Sequence, residues 1–278
     1  MHTFTTFQAV VMGITQGLSE WLPISSTAHM SIVRAIFGWR FDEILFTAFK
    51  AVIQWGTVFA AVVYFREDIL SILFGKTSRN RSYISNEADR RLLIPIIVGT
   101  LPLSIIGLLL NKKISLWEDN LFVIGGSLIV FALILGLAEA RHSAKRSIGT
   151  VSVVDGLIVG LGQTFSLIPG ASRSGTTITA ALGIGLERAT AARFSFLLSL
   201  PAVFLAGAYE LIKYRHEIIS LHIGKPMLIA TVFAFIFGYA SIDWLMKFLK
   251  NHPTYVFIVY RIVVGGALLY FAKAGIIH

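Results

Sequence analysis

The stretch PGASRSGTT at residues 169–177 places Arg173 and four hydroxyl side chains in the middle of apolar sequence, with a fifth hydroxyl, Ser166, just upstream. Its Pro-Gly pair interrupts a helix, and the apolar sequence on either side is too short to cross a bilayer. Such a break is tolerated at membrane depth only where protein or a wet cavity surrounds it. We therefore predict a re-entrant helix–loop–helix hairpin over 151–190, and a second one over 4–36, which LPISSTAH interrupts in the same way.

The composition of the whole chain is typical of an all-α polytopic membrane protein. Of its 278 residues, 55% are hydrophobic and 14% are charged, and the mean hydropathy is +0.76; soluble domains carry about a quarter charged residues. Six apolar segments are long enough to span a bilayer: 44–65, 92–110, 121–138, 192–212, 226–246 and 254–272. The chain has no cysteine, which excludes disulfides and thiolate chemistry. No cleavable signal peptide is expected, because the N-terminus lacks a basic region and a small-residue cleavage site.

The two broken segments also predict an internal repeat. Their prolines are 146 residues apart, as are Ser26 and Ser172, and FKAVIQWGTVF at 49–59 precedes the similar FSFLLSLPAVF at 194–204 by 145. Each copy would hold one hairpin and three spans, and an odd number of spans inverts the second copy relative to the first. The tips of the hairpins would then meet near the midplane. The predicted copies are residues 1–145 and 146–278 of a single integral membrane domain.

The net charge of +9 lies in the loops between apolar segments, so it indicates orientation and contact with anionic lipids rather than nucleic-acid binding. One side of the protein is richer in basic residues and is expected to be cytoplasmic, with both termini outside. The residues on that side are Arg66, Lys76, Arg79, Arg81, Arg90, Arg91, Arg141, Lys145, Arg146, Lys247 and Lys250. The other side holds Arg34, Arg40, Lys112, Lys113, Lys213, Arg215, Lys225 and Lys273.

The first hairpin tip carries a carboxylate, an imidazole and hydroxyls inside apolar sequence. Gln16 and Glu20 are four residues apart and share a helix face. Ser25 or Ser26 is suited to cap the helix after the break, and His29 follows Ser26 on the same face. A purely structural interpretation is that Glu20 and His29 are polar groups near an interface whose hydrogen bonds are satisfied there. Ionisable residues within a membrane are nevertheless functional by default, which favours a reactive site.

The second tip is typical of a phosphate site. A helix that begins with Ser172 or Ser174 as its cap offers free N–H groups and the positive end of its dipole. Arg173 adds a permanent charge and a fork of donors that suits phosphate oxygens. No Walker loop is present, so no nucleotide fold is expected. A structural alternative is that Arg173 only pairs with Glu20 and locks the hairpins together.

Together the tips predict hydrolysis of a phosphoester or pyrophosphate, with a lipid-borne phosphate as substrate. Arg173 would hold the phosphate, Ser26 or His29 would attack it, and Glu20 would bind a divalent cation or transfer protons. We expect further substrate-binding contacts from Gln16, Ser25, Thr27, Gly170, Ser172, Ser174 and Thr177. The alternative function is a translocator of lipid phosphate or another anion, which would need the anion site but no nucleophile. A scaffold without a ligand would leave the polar tips unexplained.

The sequence motifs resemble those of a known family. QGLSE followed by LPISSTAH, with PGASRSGTT about 146 residues later, resembles the undecaprenyl-pyrophosphate phosphatases, also called bacitracin-resistance proteins. The resemblance extends over essentially the whole chain, including FSFLLSLP and the late VYRIVVG. It implies a bacterial cytoplasmic-membrane enzyme that converts undecaprenyl pyrophosphate to undecaprenyl phosphate, the carrier for peptidoglycan and other surface glycans. It also implies a site open to the outside, and resistance to bacitracin, which sequesters the pyrophosphate.

The resemblance further implies roles for individual residues and a need for magnesium or calcium. The family's acidic motif falls on Gln16 and Glu20, so this chain has an amide at the first position and Glu20 is the main acidic metal ligand. The active-site serine and histidine fall on Ser26 and His29, and the essential arginine falls on Arg173. Ser26 is the favoured nucleophile, with His29 to accept its proton. A phosphohistidine intermediate remains the competing mechanism.

Other charged residues lie in or beside the predicted spans: Lys50, Arg193, Asp243 and Arg261. Snorkelling or pairing between helices is the common explanation for such residues. Arg261 is the one for which a secondary phosphate or headgroup role is worth testing. The glycine pairs at 125–126 and 265–266 permit close helix contacts and therefore a homodimer.

Overall fold

The structure is a computed structural model that describes residues 4–75, 90–114, 117, 119–142, 146–220 and 224–277. These residues are helical apart from turns, loops and one isolated bridge between Arg146 and Leu186. The helices of the first half are α1 (Thr6–Glu20), α2 (Ser26–Ile36), α3 (Glu43–Tyr64), α4 (Arg66–Phe74), α5 (Leu93–Ile114) and α6 (Leu121–Ala140). Those of the second half are α7 (Val153–Thr164), α8 (Arg173–Gly183), α9 (Arg188–Lys213), α10 (Arg215–Ser220), α11 (Gly224–Phe248) and α12 (Tyr255–Lys273).

The six predicted spans are confirmed as helices that are long and apolar enough to cross a membrane. Within the described ranges these helices are α3, α5, α6, α9, α11 and α12. The largest differences from the predicted bounds are four residues. They occur at the end of α5, which continues to Ile114, and at the start of α9, which begins at Arg188 and continues through an internal Pro201. The protein is therefore a multi-pass, all-α membrane protein.

The structure contains two helical hairpins, and each of their helices is too short to cross a bilayer. The longest of their four helices is α1, whose 15 residues rise about 22 Å, against about 30 Å of hydrocarbon. Within each hairpin the two helices pack against each other, α1 on α2 and α7 on α8. The breaks fall at the predicted motifs, in loop 1 (residues 21–25) and loop 2 (residues 165–172). The re-entrant path of these hairpins through the bilayer stays a prediction.

The helices after the two breaks begin with the same unusual backbone. Ser25 caps α2 at φ 77° and ψ 104°, and Ser172 caps α8 at φ 71° and ψ 117°. Both are non-glycine residues in the left-handed region, which is uncommon. Each hydroxyl accepts a hydrogen bond from the N–H three residues later, at 3.3 Å in Ser25 and 3.1 Å in Ser172.

This shared geometry corrects the register that the sequence comparison gave. The caps are 147 residues apart, so Ser25 rather than Ser26 corresponds to Ser172. Ser26 then corresponds to Arg173, because each is the first residue of its helix. Gln16 and Gln163 have the same separation of 147, so the two segments align from glutamine to cap without a gap.

Each hairpin packs on a span from the other half of the chain. In hairpin 1 (α1 and α2) the first helix, α1, lies along α11. In hairpin 2 (α7 and α8) the first helix, α7, lies along α5. Small residues bring the backbones together: a Cβ on Gly13 would lie 2.4 Å from the Ala230 carbonyl oxygen. A Cβ on Gly160 would lie 2.2 Å from the Gly99 carbonyl oxygen. This matched exchange of partners supports the predicted inverted repeat, which stays a prediction.

We expect Gly160→Ala to destabilise the protein by about 1–3 kcal/mol, since its methyl group would overlap the Gly99 backbone and α7 would have to move away from α5. Thermal unfolding in detergent measures the change. The matched control is Gly126→Ala, a helical glycine whose added Cβ would meet no atom within 4 Å. Equal melting temperatures for the two variants would contradict the tight contact.

One glycine of each pair that permitted a homodimer, Gly125 or Gly265, makes a close contact within the chain. A Cβ on Gly125 of α6 would lie 2.8 Å from Leu269 Cγ of α12, and one on Gly265 would lie 2.8 Å from the Gly125 carbonyl oxygen. These glycines therefore bring α6 and α12 together. The predicted dimer draws no support from them.

Most of the charged residues near the spans are paired. Ion pairs join Arg193 to Asp68, Arg188 to Glu139, Arg146 to Asp155, and Lys247 to Asp243. Lys50 lies 5.0 Å from the ring centre of Phe46. Pairing between helices thus holds for Arg193, whereas Asp243 pairs with Lys247 within α11. Four basic residues of the orientation argument, Lys76, Arg79, Arg81 and Lys145, lie outside the described residues.

Candidate active site

Loops 1 and 2 meet around a cavity of about 50 Å³. The residues that line it come from both hairpins: Glu20, Ser25, Ser26, Thr27, Ser166, Ile168, Gly170, Ser172 and Arg173. Seven of these were predicted as site residues. Ser166 was noted only as an extra hydroxyl, and Ile168, which the sequence analysis missed, carries no polar group to mark it.

Glu20 is at the centre of the hydrogen bonds on the hairpin 1 side. Its side chain is 8% exposed. Ser26 Oγ donates to Glu20 Oε2 at 2.6 Å, and Gln16 Nε2 donates to the same oxygen at 3.0 Å. A buried carboxylate that already accepts the hydroxyl hydrogen is placed to accept that proton when the hydroxyl attacks.

Arg173 faces Glu20 across the cavity but does not form a close pair with it. Arg173 Nη1 is 3.9 Å from Glu20 Oε1, beyond hydrogen-bond distance. Nε and Nη1 of Arg173 are buried and donate to no atom of the described residues. Unused buried donors are costly and rare. The alternative in which Arg173 only locks the hairpins leaves these donors unexplained, whereas an anion in the cavity would satisfy them.

Two helix N-termini point into the same cavity. Ser26 begins α2 and Arg173 begins α8, and both residues line the cavity. A helix N-terminus carries a partial positive charge and free N–H groups, so it attracts an anion. With the charge of Arg173, the cavity is suited to a strongly negative group such as a phosphate.

His29 lies beside the cavity with both ring nitrogens in hydrogen bonds. Nδ1 is 2.7 Å from the Ser25 carbonyl oxygen, and Nε2 is 2.7 Å from the Tyr260 hydroxyl. A carbonyl oxygen only accepts, so in the neutral ring Nδ1 carries the hydrogen and Nε2 accepts from Tyr260. His29 therefore does not take the place beside Ser26 that the sequence analysis gave it; Glu20 does. Tyr260, 231 residues away on α12, lies in the VYRIVVG motif, but nothing in that motif predicted its contact with His29.

Three predicted substrate-binding residues face the backbone or Glu20 rather than the cavity. Ser174 Oγ donates to the Leu22 carbonyl oxygen at 2.9 Å, which ties α8 to loop 1. Thr177 Oγ1 donates to the Arg173 carbonyl oxygen at 2.8 Å. Gln16 contacts Glu20 and does not line the cavity. These three side chains therefore stabilise the structure around the cavity and do not line it.

The donor set limits how a metal ion could be held. Within the described ranges no three His, Cys, Asp or Glu side chains cluster as a metal site. Glu20 is the carboxylate of the cavity, and the Ser26 hydroxyl lies beside it. Magnesium is often bound in proteins by one or two carboxylates together with substrate phosphates and water. The residues present fit that mode of binding, and they do not form a site in which protein side chains supply all the ligands.

Comparisons with known proteins identify relatives of the chain over nearly its whole length. The sequence model of a family described as "Bacitracin resistance protein BacA" matches residues 9–267. A Myxococcus xanthus protein named "Undecaprenyl-diphosphatase" is 46% identical, over 96% of this chain and 89% of its own length. Proteins of the same name from Chloroherpeton thalassium and Gloeobacter violaceus are 45% and 41% identical, over 96% and 98% of this chain and 97% and 93% of their own.

Proposed function

The chain belongs to the BacA family of bacitracin resistance proteins, and from this membership we infer that it hydrolyses undecaprenyl diphosphate to undecaprenyl phosphate and orthophosphate. It is a multi-pass membrane phosphatase. Its lipid product is the carrier on which peptidoglycan and other envelope glycans are built. Removal of the diphosphate also removes the target that bacitracin sequesters, so the activity confers resistance.

The arrangement of Ser26 supports hydrolysis most directly. Its hydroxyl lies at a helix N-terminus, donates to a buried carboxylate at 2.6 Å, and shares a cavity with the free donors of Arg173. An anion translocator would need the donors, but it would have no use for an activated hydroxyl.

In the mechanism that this geometry supports, Arg173 and the N-termini of α2 and α8 hold the terminal phosphate. Ser26 Oγ attacks its phosphorus, and Glu20 takes the hydroxyl proton. A new P–O bond forms to Ser26 while the anhydride P–O bond breaks, and undecaprenyl phosphate leaves. Water then attacks the phosphorus of the phosphoserine, and its P–O bond to Ser26 breaks. Glu20 returns its proton to the Ser26 oxygen, and orthophosphate departs as dihydrogen phosphate with both hydrogens of the water. His29, whose Nε2 contacts Tyr260, orients Ser25 and the start of α2.

A divalent cation, magnesium or calcium, completes the site in this proposal. Glu20 would hold it together with phosphate oxygens of the substrate. The ion would neutralise charge on the phosphates. Gln16 would direct its Nε2 hydrogen to Glu20 Oε2, as it does in the structure, and so keep the carboxylate oriented.

The proposed location is the bacterial cytoplasmic membrane, with the cavity open to the outer side. The excess of basic residues on one side supports that orientation by the positive-inside rule. The reaction supports it too, because the diphosphate is released on the outer leaflet.

The function is tested by phosphate release from undecaprenyl diphosphate by purified protein in detergent. We expect turnover with Mg²⁺ or Ca²⁺, a loss of about a hundredfold or more with chelator, and recovery when either ion is restored. Full turnover in chelator would contradict the metal proposal alone. No turnover with either ion, in folded protein that binds the lipid, would favour the translocator.

A further inference from the structure

Arg261 is a fully buried arginine that the proposed chemistry does not use. It lies on α12 within the VYRIVVG motif, and its exposure is 0%. It forms no ion pair with the residues that the structure describes. A secondary phosphate role, which the sequence suggested, does not fit this position, since Arg261 does not line the cavity. Burial of an unpaired cation is costly, so its contacts need an explanation.

The guanidinium of Arg261 donates to backbone carbonyls of both hairpin loops. Nη2 donates to the carbonyl oxygens of Ala171 at 2.9 Å and Gly170 at 3.3 Å, both in loop 2. Nη1 donates to the carbonyl oxygen of Pro23 in loop 1, at 3.4 Å. Loops carry carbonyls that no helix satisfies, and inside a membrane protein they need internal donors. One side chain thus supplies donors to both breaks.

The surroundings leave the guanidinium little room to move. A Cβ on Gly175, in the first turn of α8, would lie 2.7 Å from Arg261 Nη1. Gly170 lines the cavity, while its carbonyl oxygen accepts from Arg261. A shift of Arg261 would therefore be transmitted to the wall of the cavity.

We propose that Arg261 is a positioning residue that joins loop 1 to loop 2 and so fixes the distance between Ser26 and Arg173. Pro23 is three residues before Ser26, and Ala171 is two residues before Arg173. The planar fork matters in this role, because two separate nitrogens must reach carbonyls on different loops. A lysine keeps the charge but offers its donors from a single point. The proposal rests on the phosphatase function for its kinetic readout only.

The test compares Arg261→Gln, Arg261→Lys and Gly175→Ala with wild-type protein. Gly175→Ala displaces the fork while leaving its charge in place, and its methyl group would also lie 3.1 Å from Ser172 Cβ. Arg188→Gln is the control, because Arg188 is a partly buried arginine on a different helix, which pairs with Glu139 at 2.7 Å and does not line the cavity. The readouts are kcat and KM for undecaprenyl diphosphate, thermal unfolding, and the Kd of methylenediphosphonate, a diphosphate that cannot be hydrolysed.

We expect kcat to fall about a hundredfold in all three variants at Arg261 and Gly175, since a misplacement of about 1 Å can have that effect. The Kd of methylenediphosphonate should rise about tenfold in the same variants, because the donors around the cavity separate. Arg188→Gln should lower the unfolding temperature and leave kcat and Kd unchanged. Combining Arg261→Gln with Ser26→Ala should reduce kcat no further than Ser26→Ala alone.

Several outcomes would overturn the proposal. Wild-type kcat in Arg261→Lys would mean that a point charge suffices, and an equal loss of kcat in Arg188→Gln would mean a general effect of stability. If Arg261→Gln does not fold, Arg261→Lys and Gly175→Ala decide the question. If wild-type protein does not hydrolyse the lipid, the proposed function fails, and the methylenediphosphonate affinities still test Arg261.

Discussion

Arg173→Ala is expected to lower kcat/KM for undecaprenyl diphosphate by about a thousandfold, the lower range for an arginine that stabilises phosphoryl transfer. The residue begins α8 and lines the cavity. Two of its buried nitrogens donate no hydrogen bond to any described residue. Because the substrate phosphates would take up these donors, their removal should affect both binding and transfer. Initial rates of phosphate release over a range of lipid concentrations measure the change.

Two further arginine variants make this result specific. Arg173→Lys keeps the charge and loses the fork, so we expect it to recover only part of the lost rate. Arg215→Ala removes an exposed arginine on α10 and should leave the rate unchanged. A thousandfold loss in Arg215→Ala, or a near-normal rate in Arg173→Ala, would contradict the anion site.

Ser26→Ala is expected to reduce kcat by about a thousandfold or more, as removal of a nucleophile does in other hydrolases. The reason is the hydrogen bond from Ser26 Oγ to Glu20 Oε2, which places a proton acceptor at the attacking atom. Glu20→Gln should cause a comparable loss, because an amide accepts a proton poorly. Acid-quenched wild-type protein should carry phosphate on the peptide that contains Ser26, which mass spectrometry detects.

The control on the same helix is Ser31→Ala, a buried serine that does not line the cavity. It should retain the wild-type rate. Phosphate found on His29, together with a substantial rate in Ser26→Ala, would establish the competing phosphohistidine mechanism. That result would also require Tyr260 to release His29 Nε2 during the reaction.

The sequence predicted those parts of the fold that local composition determines. Six spans followed from apolar length, and the breaks followed from Pro23 and the Pro-Gly pair before Arg173. Glu20, Ser26 and Arg173 could be identified because polar and charged groups are expensive in apolar sequence. The structure brings these three together in one cavity.

The rest depends on backbone angles and distant contacts that a local pattern does not contain. Ser25 rather than Ser26 is the cap, because the chain turns through a positive φ at Ser25, and serine spacing alone did not distinguish the two. His29 was placed beside Ser26 by helical spacing, yet Tyr260 and the Ser25 carbonyl hold its ring. Arg261 was singled out for a phosphate or headgroup role, but its hydrogen bonds to both loops depend on distant contacts that the sequence does not show.

The exchange of packing partners between the halves has a consequence for how the protein is made. Gly13 of α1 contacts Ala230 of α11, so the partner of the first helix is synthesised more than 200 residues later. Contacts of such long sequence separation form late and slowly. Until α11 is inserted, hairpin 1 lacks the span along which α1 packs in the folded protein. We therefore expect a chain released before residue 224 to hold hairpin 1 less firmly, although it contains Glu20, Ser26 and Arg173.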